Sequence, residues 1–182
     1  ENILGSGFFF FFMNYRGAGS YFCGEASALV TSIEGKRGYP RHRPPRLTVR
    51  GLYQKPTVIN NVETLSNIAW IVTHGSAAFK AIGSPKASGT RLISLSGHVV
   101  NPGVFEIEYG YPWKRLIYED AGGMMHGAKL KCVIPGGIST KVLTREEVER
   151  LNLDPAEVEP AGSSLGSGGM VAIAEGTCMV RL

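Results

Sequence analysis

The sequence has few of the features that mark secreted, metal-binding or membrane-spanning chains. Its three cysteines, Cys23, Cys132 and Cys178, lie far apart without a C-x-x-C pair, which argues against a zinc or iron–sulfur site within the chain. An odd number of cysteines also argues against a secreted disulfide framework, so we expect reduced thiols in the cytoplasm. The apolar run at residues 8–13 is far shorter than the ~18 residues that a membrane span needs.

The sequence also offers no convincing set of residues for nucleophilic catalysis. It has no G-x-S-x-G elbow, and its 4 histidines are scattered, so we expect each to be structural or exposed rather than catalytic. Charged residues make up 19% of the chain, and 24 glycines are present. That glycine content is roughly twice the usual share and indicates many turns rather than a bundle of long helices.

Positive charge is concentrated in one segment. The net charge is +4, and six basic residues lie between positions 37 and 50: Arg37, Arg41, His42, Arg43, Arg46 and Arg50. Such a run can contact nucleic acid. More often it is a solvated face, or a patch for an anionic cofactor or an acidic partner subunit, and we therefore expect no nucleic-acid partner.

Residues 16–29 are the most informative stretch, because three glycines precede a helix-favouring run. Gly17, Gly19 and Gly24 are spaced differently from the dinucleotide fingerprint G-x-G-x-x-G. Backbone without a Cβ lets a planar or phosphorylated ligand approach closely. A lone glycine turn is more often structural, so its meaning depends on the rest of the chain.

The first 84 residues predict a strand, the glycine turn, and two helices separated by a long ordered loop. The first helix is expected to end at Gly35, and the second to start at Asn60 or Asn61, either of which can cap it. Its predicted buried stripe consists of Val62, Leu65, Ile68, Ala69 and Val72. The five phenylalanines at 8–12 predict a buried strand, or else a stretch whose residue identities need rechecking. We attach no function to them.

The second half of the chain predicts a small β-rich unit. Strands at 92–96 and 104–108 flank the turn Asn101-Pro102-Gly103, and a helix with Trp113 on its apolar face precedes a strand at 130–134. This order is typical of a β-grasp unit. Thr144 and Glu147 form a capping box that opens a short helix, and a last strand is expected at 170–174.

Several stretches together resemble one family. They are Ser32-Ile33-Glu34-Gly35-Lys36, Arg43-Pro44-Pro45, residues 55–65, Ser94-Leu95-Ser96-Gly97, Pro135-Gly136-Gly137 and Gly162-Ser163-Ser164-Leu165-Gly166. With the glycine turn, they resemble the flavin- and NADH-binding subunit of respiratory complex I. Its relatives occur in NAD(P)-linked hydrogenases, formate dehydrogenases and electron-bifurcating complexes.

The resemblance implies a mixed α/β fold in three parts. Residues 1–84 would be the C-terminal part of a Rossmann-like FMN- and NAD(P)-binding domain, and 85–143 a β-grasp, soluble-ligand-binding domain. Residues 144–182 would be a linker and a segment that returns to the flavin domain and leads to an iron–sulfur domain. The family's phosphate-binding glycine loop and C-x-x-C-x-x-C set are not in the sequence, so we expect a central fragment of a longer subunit with no ligands for the 4Fe-4S cluster.

The resemblance also assigns the binding residues. Tyr21, Gly24 and Glu25 would lie at the face and edge of the flavin ring. Asn60, Asn61 and Thr64 would make polar contacts around FMN. The alternative for each is structural: Asn60 a cap, Tyr21 a core residue and Glu25 a solvated charge of the first turn. We predict no catalytic side chain and no metal ligand, since the cofactor performs the hydride chemistry.

Two residues depart from the family pattern near the nucleotide. Ala26 stands where most relatives have a second glutamate, and Arg46 stands where an aromatic residue commonly stacks on adenine. The loss of a carboxylate removes a block to the extra phosphate of NADPH, and arginine suits both a base and a phosphate. The chain therefore either accepts or prefers NADP(H), or carries neutral changes.

The implied function is hydride exchange between NAD(P)H and FMN, followed by single-electron transfer to or from an iron–sulfur cluster. The implied partners are a thioredoxin-like 2Fe-2S subunit and a larger iron–sulfur or catalytic subunit. The implied location is the cytoplasm or the cytoplasmic face of a membrane complex, without membrane insertion. The alternative function is a non-catalytic β-grasp binding or scaffold module of a redox complex.

Overall fold

The computed structural model describes residues 2–182, with Ile3 described only in its backbone. The chain divides into two compact units: unit 1 ends at Val62, and unit 2 runs from Glu63 to Leu182. The predicted domain limits at 84 and 143 stay a prediction.

Helices and strands follow one another in a mixed order along the chain. The helices are α1 (Ala26–Ile33), α2 (Val62–His74), α3 (Ser76–Lys80), α4 (Trp113–Arg115, continued by a π-helical turn at Leu116–Asp120), α5 (Arg145–Arg150) and α6 (Pro155–Val158). The strands are β1 (Thr90–Gly97), β2 (Gly103–Glu108), β3 (Tyr111–Pro112), β4 (Leu130–Ile134), β5 (Leu143–Thr144), β6 (Asn152–Leu153) and β7 (Gly169–Ala174). Short 3-10 turns occur at Ile3–Gly5, Tyr21–Gly24, Leu52–Gln54 and Met125–Gly127.

Helix α1 forms where the sequence predicts a helix after the glycine turn. Glu25 is its N-cap, because the carboxylate accepts a hydrogen bond from the backbone N–H of Ala28. The helix ends just before Gly35, whose φ of 77° favours glycine. Ala28 and Val30 are buried, but many larger apolar side chains of unit 1 are exposed. Unit 1 therefore has little apolar core among its described residues.

The phenylalanine run corrects one expectation. In the described chain, residues 8–12 form no strand, and the only β-bridge among them joins Phe9 to Asn2. All five rings are exposed, with Phe11 85% and Phe12 86% accessible. The prediction of a buried strand is wrong because five consecutive aromatic residues indicate a need for burial but specify no pairing partner.

Helix α2 has the predicted bounds. It begins directly after Asn61 and ends before Gly75, whose φ is 86°. Glu63 lies in its first turn, and its Oε1 accepts a hydrogen bond of 3.0 Å from the backbone N–H of Leu92. This bond ties the start of the helix to strand β1 within unit 2.

The predicted buried stripe of α2 is exposed instead. Val62 is 77% and Val72 79% accessible, and no side chain of the helix is fully buried. Within the helix, Trp70 stacks on His74 with the ring centroids 4.3 Å apart. Periodicity identifies residues that share a face, but periodicity does not say what covers that face.

A mixed five-stranded sheet forms the centre of unit 2. Its strand order is β2-β1-β7-β4-β5. Strands β1 and β2 form the predicted antiparallel hairpin, and β4 pairs antiparallel with β5. A second small sheet joins β3 and β6.

Strand β7 lies in the middle of the sheet of unit 2. The expectation that residues 144–182 form a linker and a segment that returns to the flavin domain stays a prediction. Strand β7 runs parallel to β1 and antiparallel to β4. An added Cβ at Gly97 of β1 would collide with the backbone of Ala172, so glycine is needed where these two strands meet.

The core of unit 2 covers both faces of this sheet. The larger cluster contains Trp113, Leu116 and Ile117, all with no exposed surface, and Trp113 was predicted to lie on the apolar face of its helix. A smaller cluster contains Cys132 and Ile134 of β4 together with Ile173. Because side chains alternate along a strand, β4 contributes to both clusters.

The predicted fold class, a mixture of α and β structure, is confirmed. None of the helices between residues 2 and 182 combines the length and apolar character that crossing a bilayer requires.

Candidate functional site

The glycine turn is open at two of its three glycines. An added Cβ at Gly17 or Gly24 would meet no atom within 4 Å, so a ligand can approach the backbone there. At Gly19 an added Cβ would collide with the side chain of Cys23, and the same holds at Gly38. Gly19 and Gly38 therefore serve packing around the Cys23 sulfur, whereas Gly17 and Gly24 leave open backbone.

Glu25 lies at the junction of the turn and helix α1. Its Oε2 accepts hydrogen bonds from the Ser27 hydroxyl at 2.5 Å and from the Ala28 N–H at 2.8 Å. Its Oε1 accepts a bond of 3.2 Å from Arg43, in an ion pair whose arginine and glutamate side chains are 57% and 38% exposed. The hydrogen bond from Ser27 is the main cause of a lowered Glu25 pKa, followed by the bond from Ala28. Glu25 is therefore a fixed, ionised cap.

Ser27 connects helix α1 to residues 37–50, the segment with six basic residues, which we call the basic loop. Its side chain is buried, and its Oγ accepts a hydrogen bond of 2.9 Å from the backbone N–H of Arg41. One turn further along α1, the Thr31 hydroxyl accepts a bond of 3.0 Å from Arg41 Nε. The helix thereby determines where this part of the loop runs.

The Arg41 guanidinium is held on three sides. Besides Thr31, it donates to Glu34 Oε2 at 2.7 Å and to the carbonyl oxygen of Gly51 at 3.3 Å. The Arg41 and Glu34 side chains are only 24% and 8% exposed. An ion pair with so little solvent around it keeps its geometry better than an exposed one.

Unit 1 has two cavities next to helix α1 and the residues bonded to it. The first, of about 480 Å³, is bordered by α1 and the basic loop, and we call it the arginine cavity; its charged lining residues are Glu34, Lys36, Arg37, Arg41, Arg43 and Arg50. The second, of about 600 Å³, lies between the glycine turn and residues 35–39 and includes Arg16, Gly19 and Cys23 in its lining. We call it the turn cavity.

The residues predicted to bind the flavin fall into two groups. Gly24, Glu25 and Ala26 stand together at the start of α1. Tyr21 begins the 3-10 turn that ends at Gly24, and it is 87% exposed. Tyr21 is thus not the core residue that its structural alternative requires.

Asn60 and Asn61 are exposed residues immediately before α2, and Thr64 is an exposed residue of that helix, within unit 2. Among the described contacts, none links Asn60 to Tyr21, Glu25 or Arg46. Their assignment to the flavin therefore stays a prediction.

The two residues expected to face the nucleotide differ in position and exposure. Ala26 is a half-buried residue in the first turn of α1. Arg46 is exposed in the loop, where its carbonyl oxygen accepts bonds from the N–H groups of Val49 and Arg50. Arg46 is not among the residues that line either cavity.

Sequence reasoning missed Ser27 and treated Arg41 and Arg43 only as members of a charged run. No local pattern places a serine hydroxyl against the backbone of a residue 14 positions away. A partial signal existed for Glu25, because an acidic residue at a helix start is a common cap.

The described residues give little support for a metal site or for a reactive thiol at Cys132. Within residues 2–182, no group of three or more His, Cys, Asp or Glu side chains could hold a metal ion. Burial raises the pKa of Cys132, which keeps this thiol protonated and unreactive.

Two family models match segments of this chain. Residues 13–70 match the Nuo51 FMN-binding domain, and residues 91–171 match the SLBB domain. The two matches thus lie in the order of a Nuo51 FMN-binding domain followed by an SLBB domain. The resemblance drawn from the sequence is thereby confirmed, and the matched FMN-binding domain includes the glycine turn, α1 and the arginine cavity.

Curated relatives match the whole chain. One F-type subunit of NADH-quinone oxidoreductase, from Rhizobium meliloti (strain 1021), is 49% identical over 180 residues, which cover 99% of this chain and 42% of that protein. The F-type subunit of NADH-quinone oxidoreductase from Streptomyces coelicolor is 45% identical over 181 residues, which cover 100% of this chain and 40% of that protein. The chain thus spans about two fifths of the length of these relatives.

A solved structure shows the same fold. The NAD+-reducing NiFe-hydrogenase in its H2-reduced state aligns with a TM-score of 0.70 and 35% identity, over 91% of this chain and 27% of that one. Its air-oxidised state aligns with the same TM-score and 36% identity, over 87% of this chain and 26% of that one.

Proposed function

We propose that this chain is part of a flavoprotein subunit that binds FMN and a pyridine nucleotide within a multi-subunit redox complex. The observation that carries the proposal is the open backbone at Gly17 and Gly24, leading directly into a capped helix, inside a segment that matches an FMN-binding domain. A bound FMN would supply the chemistry of hydride exchange with the nucleotide and of single-electron transfer. The protein contributes binding and orientation.

The residues present fit a flavin. Gly24 leaves room for a ring system against the backbone, and the exposed ring of Tyr21 can pack on a planar ligand. The Glu25 carboxylate already accepts hydrogen bonds from Ser27, Ala28 and Arg43, so its role is to hold the start of α1 and supply negative charge. A carboxylate with a lowered pKa is poorly suited to accept a proton near neutral pH. Asn60, Asn61 and Thr64 would supply polar contacts to FMN.

The proposal also concerns which pyridine nucleotide, NADH or NADPH, the chain accepts. Ala26 brings no negative charge to the start of α1, and Arg46 carries a guanidinium without an ion pair among the described residues. Both features favour acceptance of NADPH, because nothing at these positions repels an extra phosphate. Equal use of the two nucleotides would mean that Ala26 and Arg46 have no effect on which nucleotide is accepted.

The partners and the location follow from the same proposal. The relatives named above are subunits of NADH-quinone oxidoreductase, and the solved structure is an NAD+-reducing hydrogenase. By analogy, this protein would exchange electrons with a thioredoxin-like 2Fe-2S subunit and a larger iron–sulfur or catalytic subunit, in the cytoplasm or at the cytoplasmic face of a membrane complex.

The proposal is tested by flavin binding and reduction in the complete protein. We expect FMN to bind, and NADH or NADPH to bleach its absorbance without oxygen. Gly24→Val places a branched side chain in the open space and should weaken FMN binding at least about tenfold, which corresponds to about 1.4 kcal/mol. Gly103→Val is the matched control, because Gly103 lies in edge strand β2 and an added Cβ there makes only ordinary contacts.

Two outcomes would contradict the proposal. If the complete protein binds no FMN, the flavoprotein function is wrong. If FMN binds but neither nucleotide reduces it, the non-catalytic scaffold is the better description, and the well-packed core of unit 2 is consistent with such a module.

A further inference from the structure

The arginine cavity has more positive charge than the surrounding carboxylates neutralise. Among the described residues, its ion pairs are Arg41 with Glu34 and Arg43 with Glu25. No described carboxylate lies within 4.0 Å of the other three cations, Lys36, Arg37 and Arg50, although all three line the same cavity. Like charges gathered around one concave space repel one another, and an anion bound there relieves that repulsion.

The cavity is also partly preorganised. The Arg41 guanidinium is fixed by its bonds to Thr31, Glu34 and Gly51, so it cannot swing away into solvent at little cost. Arg37 lies over the ring of Tyr39, with its guanidinium carbon 5.1 Å from the ring centroid. Side chains that are held before a ligand arrives lose less freedom when it binds.

We propose that the arginine cavity binds a phosphate or pyrophosphate group. Its direct contacts are Lys36, Arg37 and Arg50, and the fixed guanidinium of Arg41 lines the cavity beside them. Guanidinium groups match phosphate oxygens in paired, charge-assisted hydrogen bonds, and a lysine adds a mobile point charge. The volume of about 480 Å³ is larger than a phosphate alone needs and lies within the range of small-molecule sites. The site therefore suits a phosphorylated small molecule.

This inference requires no flavin; it rests on the proposed function where the phosphate belongs to the pyridine nucleotide, and goes beyond that function where the phosphate belongs to another molecule. The phosphate has two possible sources, the pyridine nucleotide itself or a separate phosphorylated molecule, and the chemistry of the site is the same for both. A nucleic acid is a different class of ligand, and the observations favour it less, since the unpaired cations surround one concave space rather than a long track.

The test measures binding of pyrophosphate to the complete protein by isothermal titration calorimetry, with no flavin added. We expect a Kd below about 1 mM. The double variant Arg37→Gln and Arg50→Gln should weaken binding by at least about tenfold, because two charge-assisted contacts are lost. Arg150→Gln, at an exposed position in the last turn of α5, removes the same charge outside the cavity and should leave binding unchanged.

The variants are expected to fold, since Arg37 and Arg50 are exposed. Thermal unfolding checks this, and Lys36→Gln provides a single change with a smaller expected loss of affinity if the double variant is unstable. The inference is overturned if pyrophosphate does not bind, or if it binds equally well to the wild type, to the double variant and to Lys36→Gln.

Competition distinguishes the sources of the phosphate. If 2′,5′-ADP displaces pyrophosphate much better than 5′-ADP does, the site takes the 2′-phosphate of NADP(H); if neither adenine nucleotide displaces it, the site belongs to a separate phosphorylated molecule. Both results support the phosphate site. A single-stranded oligonucleotide that binds with a steep salt dependence and is not displaced by pyrophosphate would contradict it. Because flavin is absent from these measurements, their failure leaves the proposed flavoprotein function untouched.

Discussion

The hydroxyl of Ser27 donates a hydrogen bond of 2.5 Å to the carboxylate of Glu25, two residues earlier in the chain. The same hydroxyl accepts a bond from the backbone N–H of Arg41. One buried oxygen atom thus connects the cap of helix α1 with the loop that carries the arginine cavity. Four predictions test this and neighbouring features.

Ser27→Ala should destabilise the protein by about 1–3 kcal/mol, because the Arg41 N–H loses its buried acceptor and Glu25 loses a donor. Thermal or urea unfolding measures the change. Ser139→Ala is the control, since Ser139 is exposed and makes no side-chain hydrogen bond in the described chain. Equal stability of the Ser27 and Ser139 variants would show that the Ser27 bonds contribute nothing.

The protein should lose stability in acid partly through Glu25. Hydrogen bonds from Ser27 and Ala28, aided by Arg43, hold the pKa of folded Glu25 below its ordinary value of 4.5. The stabilisation is therefore present above that value and is lost as the pH falls through the lower pKa of the folded state.

Urea midpoints from about pH 7 to about pH 3 measure this loss. Glu25→Gln should be less stable than the wild type near neutral pH, and the difference should shrink in acid. Glu159→Gln, which removes an exposed carboxylate without an ion pair in the described chain, should show no such convergence. A constant difference between Glu25→Gln and the wild type at every pH would contradict the prediction.

Gly38→Ala should destabilise the protein by about 1–3 kcal/mol, because the new methyl group collides with the Cys23 sulfur. The other atoms near that methyl position lie at ordinary contact distances. Cys23→Ala should therefore suppress much of the effect of Gly38→Ala in a double-mutant cycle measured by urea unfolding. Additive effects of the two changes would mean that Gly38 matters for another reason.

Replacement of Phe11 and Phe12 by serine should leave the unfolding temperature nearly unchanged, because both rings are more than four-fifths exposed. The same change should reduce aggregation, which light scattering at rising protein concentration measures. The matched control is Leu182→Ser, at another exposed apolar residue outside the run. A large drop in unfolding temperature would show that the two phenylalanines are buried in the protein in solution.

Local signals in the sequence predicted the parts of this fold that depend on neighbouring residues. Gly35, Gly75 and the capping box at Thr144 each mark a helix end where the structure has one. Gly35 and Gly75 have positive φ, and the Thr144 and Glu147 side chains bond reciprocally to each other's backbone. Such features require only a few consecutive residues, so a pattern can specify them.

Features that depend on distant residues could not be predicted in this way. The burial of the α2 stripe was inferred from periodicity and that of the phenylalanine run from apolarity, and both are exposed. The bond between Ser27 and Arg41, and the clash that requires glycine at Gly38, depend on how the loop folds back on α1. The candidate flavin residues were drawn from resemblance, and the run of basic residues at 37–50 indicated positive charge but not that several of these residues line one cavity.

The position of β7 has a consequence for how the protein is made. The central strand of the sheet is the last one to leave the ribosome, and it pairs with β1, which is synthesised more than 70 residues earlier. Until β7 arrives, β1 and β4 have unpaired edges and the larger apolar cluster lacks Met170 and Ala172. Unit 2 should therefore complete its folding only after β7 has been synthesised, and a chain stalled or shortened before β7 would expose unpaired strand edges to chaperones and proteases.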